Sequence, residues 1–173
     1  MIKTNKKVGY DVDGVLAGFY PDVCRRQGRS VETVDFWHIP WIEEMFHEIA
    51  DRNEPRFWEN MSVLNPPHTI TVKPDCYISH LPQCLQDERE EWLFQNEFPH
   101  APLILAEDKI PHILERGLDL FIDDNPATIH ALFEAGIPCL QYVPYYASDK
   151  IIDDYAFQTG RYIRNLADVK NFL

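Results

Sequence analysis

Five short apolar, β-rich runs punctuate the chain, "KVGYD", "CYIS", "PLILA", "LDLFID" and "IPCLQYV", and helical patterns fall between several of them. Strands separated by helical segments bury both faces by lining up in parallel under two layers of helix. The expectation is an α/β fold built on a parallel sheet. Helices are predicted at "DEREEWLFQNEF", at "DKIPHILERG" with Gly117 as its stop, and at "PATIHALFEAG", where Pro126 marks the start and Gly136 the end. A short C-terminal helix, "LADVKNFL", is expected to pack back onto the sheet. The acidic stretch "DEREEW" reads as the solvated face of its helix.

One segment breaks the rhythm. From residue 16 to residue 62 the pattern is helix or loop and rich in aromatic side chains. It is expected to form a small helical cap inserted after the first strand, with residues 1–15 and 63–173 making the core domain. Phe36, Trp37, Trp41 and Phe46 are read as the cap's own core. The proline-broken stretch "NPPHTITVKPDCYISH" leaves room for an extra strand or an extended link over Thr69 to Val72.

Composition narrows the function. A chain of 173 residues with 45% hydrophobic side chains can bury a real core, and a formal charge of -12 gives no basic footprint for duplex nucleic acid. No apolar run approaches the ~20 residues needed to span a membrane, and the beginning of the sequence shows no signal-peptide pattern, so a cytoplasmic location is expected. Cys24, Cys76, Cys84 and Cys139 are scattered, which favours free thiols. The oligomeric state, a homodimer included, is left open. His38, His47, His68, His100, His112 and His130 show no metal-binding spacing and are read as surface or satisfied core residues.

Four features fall at the carboxyl ends of predicted strands: "DVDG" with Asp11, Asp13 and Gly14, then Ser79, then Lys109 beyond "LILAED", then the pair Asp123 and Asp124. Open α/β sheets bind ligands at that edge, so residues far apart in sequence are expected to converge. Four carboxylates brought together repel, and a magnesium ion relieves the repulsion because it takes oxygen ligands. Lys109 adds positive charge, the Ser79 hydroxyl adds a donor, and backbone N–H groups near Gly14 and His80 suit an anion. A carboxylate, a metal, a lysine and a hydroxyl together suit phosphoryl transfer.

In order and spacing these motifs resemble those of the haloacid dehalogenase-like (HAD) phosphohydrolase superfamily, over most of the chain. The resemblance implies a Rossmann-like, three-layer α/β/α core, with Asp11 as nucleophile and Asp13 as general acid and base. It also implies magnesium held by Asp11, the main-chain carbonyl of Asp13, and Asp124 with Asp123 assisting, and phosphate held by Ser79 and Lys109. A narrower similarity links "DVDGVLAGF", "PRFWENMSVLNPP", "LAEDK" and "LDLFIDDNP" to the cytosolic and mitochondrial 5'(3')-deoxyribonucleotidases and their bacterial and phage relatives. By that similarity Phe19, Phe57 and Trp58 line a nucleobase pocket. The sequence departs from the pattern at Gly18, where the family has Asp, at His80 after the serine, and in the shortened segment before the second motif.

The implied substrate is a small phosphomonoester, a nucleoside monophosphate and plausibly a deoxyribonucleotide. Two other readings stay open: a phosphatase for a sugar phosphate, another small metabolite or a polynucleotide 3'-phosphate, and a silent member that binds a nucleotide or a protein without turnover.

Overall fold

The computed structural model describes residues 5–51 and 55–173. Its six strands are β1 (Val8–Tyr10), β2 (Cys76–Ser79), β3 (Leu103–Leu105), β4 (Leu120–Asp123), β5 (Cys139–Tyr142) and β6 (Tyr162–Ile163). They form one parallel sheet in the order β3-β2-β1-β4-β5-β6. The chain leaves β1 toward one edge through β2 and β3, then returns to the other side of β1 and proceeds outward through β4, β5 and β6. The strand order therefore reverses beside β1, and a crevice opens there at the carboxyl ends of β1 and β4.

Strands β1, β2, β4 and β5 are buried on both faces, and alternate residues serve different layers. Tyr10, Tyr77, Leu120, Ile122, Leu140 and Tyr142 join one hydrophobic cluster; Cys76, Ile78, Phe121 and Cys139 join a second. Among the described residues seven α-helices accompany the sheet: α1 (Phe19–Arg26), α2 (Pro40–Asp51), α3 (Pro55–Glu59), α4 (Gln86–Gln95), α5 (Ile110–Arg116), α6 (Pro126–Glu134) and α7 (Asp154–Thr159). Helix α4 contributes Trp92 and Leu93 to the first cluster, whereas α5, α6 and α7 contribute Ile113, Ile129, Leu132 and Ala156 to the second. The three layers expected from the sequence are thus present.

Local chemistry explains the helix limits. Asn125 caps α6 by accepting from the Ala127 N–H at 2.9 Å, with Pro126 at the first helical position. Gly117 closes α5 in the left-handed conformation, φ +60°. The chain's end differs from expectation: Leu166–Phe172 is a 3-10 helix, although Leu166 and Val169 do pack into the first cluster. Strand β6 was not foreseen, because two residues carry no periodic signal. Before β2, Pro67–Thr69 makes a short 3-10 turn and Ile70 is extended, so the proline-broken stretch is a link.

Helices α1, α2 and α3 occupy the excursion between β1 and β2; residues 52 to 54 of the expected cap lie outside the described residues. Leu16, Val23, Ile49, Trp58 and Met61 belong to the same cluster as the sheet residues Tyr10 and Ile122. The excursion is closed by Asp22. Its buried carboxylate accepts from the Ser62 N–H at 2.5 Å and the Ser62 hydroxyl at 2.9 Å, and it pairs with Arg25 at 2.7 Å. Gly18 donates its N–H to the Ser62 carbonyl at 2.8 Å, and a Cβ there would stand 2.7 Å from the Ser62 hydroxyl oxygen. Any side chain at position 18 thus meets Ser62, which accounts for the glycine there.

Asp22→Ala leaves the Ser62 donors unpaired in a half-buried place. The expected loss is about 1–3 kcal/mol in urea unfolding. Asp22→Asn, which keeps an acceptor, is expected to lose less; an unchanged midpoint for Asp22→Ala would contradict the clamp.

Candidate active site

The crevice at the switch point gathers the motifs. Register pairs Tyr10 with Ile122, so Asp11 and Asp123 follow on adjacent strands, and the Asp11 N–H still bonds the Ile122 carbonyl at 2.8 Å. After Asp11 the chain turns tightly, with Gly14 donating to the Ala17 carbonyl at 2.8 Å. Gly14 has φ +88°, and a Cβ on it would come within 1.8 Å of Asp124 Oδ2. No side chain fits there, and its absence brings Asp124 against the turn. The Asp123 carboxylate accepts from the Asn125 N–H at 2.9 Å, which fixes the turn leading into α6.

Lys109 precedes α5, where Asp108 accepts from the Ile110 N–H at 3.0 Å and Pro111 sits near the helix start. Its ammonium bridges Asp11 Oδ1 and Asp123 Oδ2, both at 2.7 Å. All three partners are buried. Burial pulls the lysine toward neutrality, but Asp11 and Asp123 outweigh it and raise the net affinity for its proton.

Asp11, Asp123 and Asp124 each place a carboxylate oxygen within 4.8 Å of the others. Burial pushes the Asp11 carboxyl up to about 8 against the pull of Lys109, with Asp123 and Asp13 adding to the rise. Burial likewise raises Asp124 well above the ordinary carboxyl range, reinforced by Asp11 and Asp123. Three buried acids against one lysine are short of positive charge, and a hard divalent cation with oxygen ligands fits this donor set.

Asp13 stands apart from the trio. Its Oδ2 accepts from the Ser79 hydroxyl at 2.6 Å, and its Oδ1 is held by the guanidinium of Arg89. Ser79 is fully buried, and its hydroxyl donates to Asp13 while the residue does not line the cavity. Arg89 corrects the reading of "DEREEW" as a solvated face. Arg89 is wholly buried with Trp92, while Asp87, Glu90 and Glu91 are exposed. The two buried residues stand three apart in the helix, a spacing that marks an inward stripe, but a charged residue in an acidic run gave no sign of facing inward.

A cavity of about 590 Å³ opens over the acids. Asp11, Asp13, Gly14, Lys109, Asp123 and Asp124 form its floor, joined by His80. His80 is exposed, and its Nδ1 lies 3.1 Å from the Glu107 carbonyl. Phe19 lines the wall as expected, but Phe57 and Trp58 do not. Trp58 is fully buried behind Phe19, the rings stacked at 5.8 Å, and Phe57 meets both edge-on. Trp37, Ile42 and Phe46, from the segment read as the cap's private core, supply the wall instead. Phe36 is 62% exposed. His38 and His47 also reach the cavity, the former 2.8 Å from Glu43. Their spacing in sequence carried no such signal, because the wall comes from the tertiary placement of α2 and of the residues just before it.

Cys24, Cys76, Cys84 and Cys139 are free thiols. Among the described residues no helix is long and apolar enough to cross a membrane.

The raised carboxyl groups give stability a direction with pH. Between the ordinary carboxyl value near ~4 and about 8, the folded chain keeps a proton on Asp11 that the unfolded chain has released. Stability of the metal-free protein should therefore fall as pH rises through that window. A cation that replaces the proton should restore it, by about 2.7 kcal/mol at a hundredfold excess over Kd. Thermal unfolding with and without magnesium is expected to show a larger gain at about pH 9 than at about pH 6; an equal gain, or none, would contradict the charge shortage.

No protein-family model matches the sequence, and neither does any curated protein. Among solved structures the chain is similar to a HAD-superfamily hydrolase, subfamily IA, variant 1, from Geobacter sulfurreducens. The TM-score is 0.54 at 13% identity, over 98% of this chain and 100% of that one. The likeness is one of fold: a six-stranded parallel sheet with flanking helices, arranged as in that HAD-superfamily hydrolase.

Proposed function

We propose that this chain is a magnesium-dependent phosphomonoesterase that hydrolyses nucleoside monophosphates through a phosphorylated Asp11, with the helices of residues 16–62 acting as a cap. The observation that carries the reading is the Lys109 ammonium held between Asp11 and Asp123 at 2.7 Å, on the floor of an aromatic-walled cavity.

Each residue has a task in this reading. Lys109 engages Oδ1 of Asp11 and leaves the other oxygen to attack phosphorus. Its charge also offsets that of the incoming phosphate. Asp13 gives a proton to the leaving oxygen as the bond from phosphorus to that oxygen breaks. In the second half, water attacks phosphorus, its proton passes to Asp13, and the bond to Asp11 breaks. Gly14 keeps the turn bare, and the backbone N–H groups around Gly14 and His80 serve the phosphate oxygens. Asp11, Asp124 and the Asp13 main-chain carbonyl, with Asp123 assisting, would hold magnesium, which supplies charge neutralisation at the transferring group.

The wall supports the choice of substrate. Phe19, Trp37 and Phe46 offer aromatic surface at the cavity, and any nucleobase has a face to stack on it. A volume of about 590 Å³ lies in the range of small-molecule pockets.

Purified protein is expected to release inorganic phosphate from ribo- or deoxyribonucleoside monophosphates with magnesium and to stop on chelation. Asp11→Asn is expected to lower kcat about a thousandfold or more. Full activity in that variant would contradict the nucleophile, and turnover of sugar phosphates alone would contradict the substrate.

A further inference from the structure

Asp13 is gripped at both oxygens, and the two grips differ in kind. Ser79 donates to Oδ2 from a hydroxyl, which has one proton to give and can turn it elsewhere. Arg89 holds Oδ1 from a guanidinium that cannot turn. Its Nη1 donates to the Trp58 carbonyl at 3.3 Å, its Nη2 also lies 3.2 Å from Met61 Sδ, and its plane sits 5.6 Å from the Trp58 ring and 5.2 Å from the Trp92 ring. Trp92 in turn donates its indole N–H to the Met61 carbonyl at 2.8 Å, which locks the frame around the guanidinium.

Such an arrangement is a poor device for stability alone. The Arg89 side chain is wholly buried, and its Nε has no partner among the described residues. Burial lowers its affinity for the proton, although Asp13 and Asp11 oppose the change. Apolar side chains of similar volume commonly replace buried ion pairs without loss of stability. What apolar packing cannot do is fix the direction of a carboxylate that must meet a reacting oxygen, where a small misplacement costs orders of magnitude in rate.

We propose that Arg89 is a positioning residue for the acid step. Resting on the phosphomonoesterase reading, the assignment is that Arg89 anchors Asp13 through Oδ1, so that Oδ2, once the Ser79 hydroxyl turns away, is the oxygen presented to the leaving group. The same contacts tie the acid to the 16–62 segment, because Trp58, the partner of Arg89, is also the ring stacked behind Phe19 in the cavity wall.

Leaving groups separate positioning from general damage. A nucleoside 5'-oxygen is a poor leaving group that needs the proton of Asp13, whereas p-nitrophenolate departs without it. Wild type, Arg89→Met and Arg89→Lys are compared on a nucleoside monophosphate and on p-nitrophenyl phosphate, with thermal unfolding as the check on folding. Arg89→Met is expected to lower kcat about a hundredfold on the nucleotide with KM little changed, and to lower it less than about threefold on p-nitrophenyl phosphate. Arg89→Lys, which keeps a cation, is expected to recover part of the nucleotide rate and carries the comparison if the methionine variant does not fold. An equal fall on both substrates, or no fall on either, would overturn the positioning role while leaving the phosphatase reading intact. Wild type without turnover of either substrate would overturn the phosphatase reading itself.

Discussion

Four carboxylates meet at the carboxyl end of the sheet, and the cations paired with them are Lys109 and Arg89. Asp11 and Asp123 share the lysine, Asp13 takes the arginine, and Asp124 lies buried beside them. With all four ionised, two negative charges would be uncompensated in a place where water cannot screen them well, and the raised proton affinities of Asp11 and Asp124 reflect that shortage. Folding alone would not gather such a group, since each carboxylate costs desolvation when the strands assemble. In the proposed reading the site is built toward something that arrives later: a divalent cation would sit among the oxygens, and the lysine and the cation would offset the charge of a phosphate.

The rest of the structure serves that imbalance. Parallel strands put Asp11 and Asp123 at one edge, and the reversal of strand order beside β1 leaves the crevice into which they face. Gly14 lets Asp124 approach the turn after β1, and the start of α5 aims Lys109 inward. Above this floor, α1 and α2 bring Phe19 and Phe46 over the acids. Behind it, Trp58, which the sequence resemblance placed in the pocket wall, and Trp92 enclose Arg89 and frame Asp13.

The parts written in the sequence were those governed by short-range rules. Apolar runs, the stop at Gly117 and the start at Pro126 placed the strands and helices, and strand ends placed Asp11, Asp123 and Lys109. Parts that depend on long-range packing were not legible. Arg89 sits in an acidic stretch and points inward only because Asp13 waits there, 76 residues away. Trp58 and Phe46 exchanged roles for the same reason: which aromatic faces the cavity depends on the angle at which α2 and α3 lie over the sheet, and no periodicity encodes that angle. Ser79 lies at the expected strand end, yet its hydroxyl is turned to Asp13, a preference set by a neighbour in the turn after β1.

The proposed mechanism requires Asp11 to form a bond to phosphorus. Rapid acid quench of the magnesium-loaded enzyme with a nucleoside monophosphate, followed by peptide mass spectrometry, tests this directly. The expected result is a transient added phosphoryl group on the peptide containing Asp11, assigned to that side chain by fragmentation and absent without magnesium. Active enzyme that never carries phosphate on Asp11, at any quench time, would contradict it.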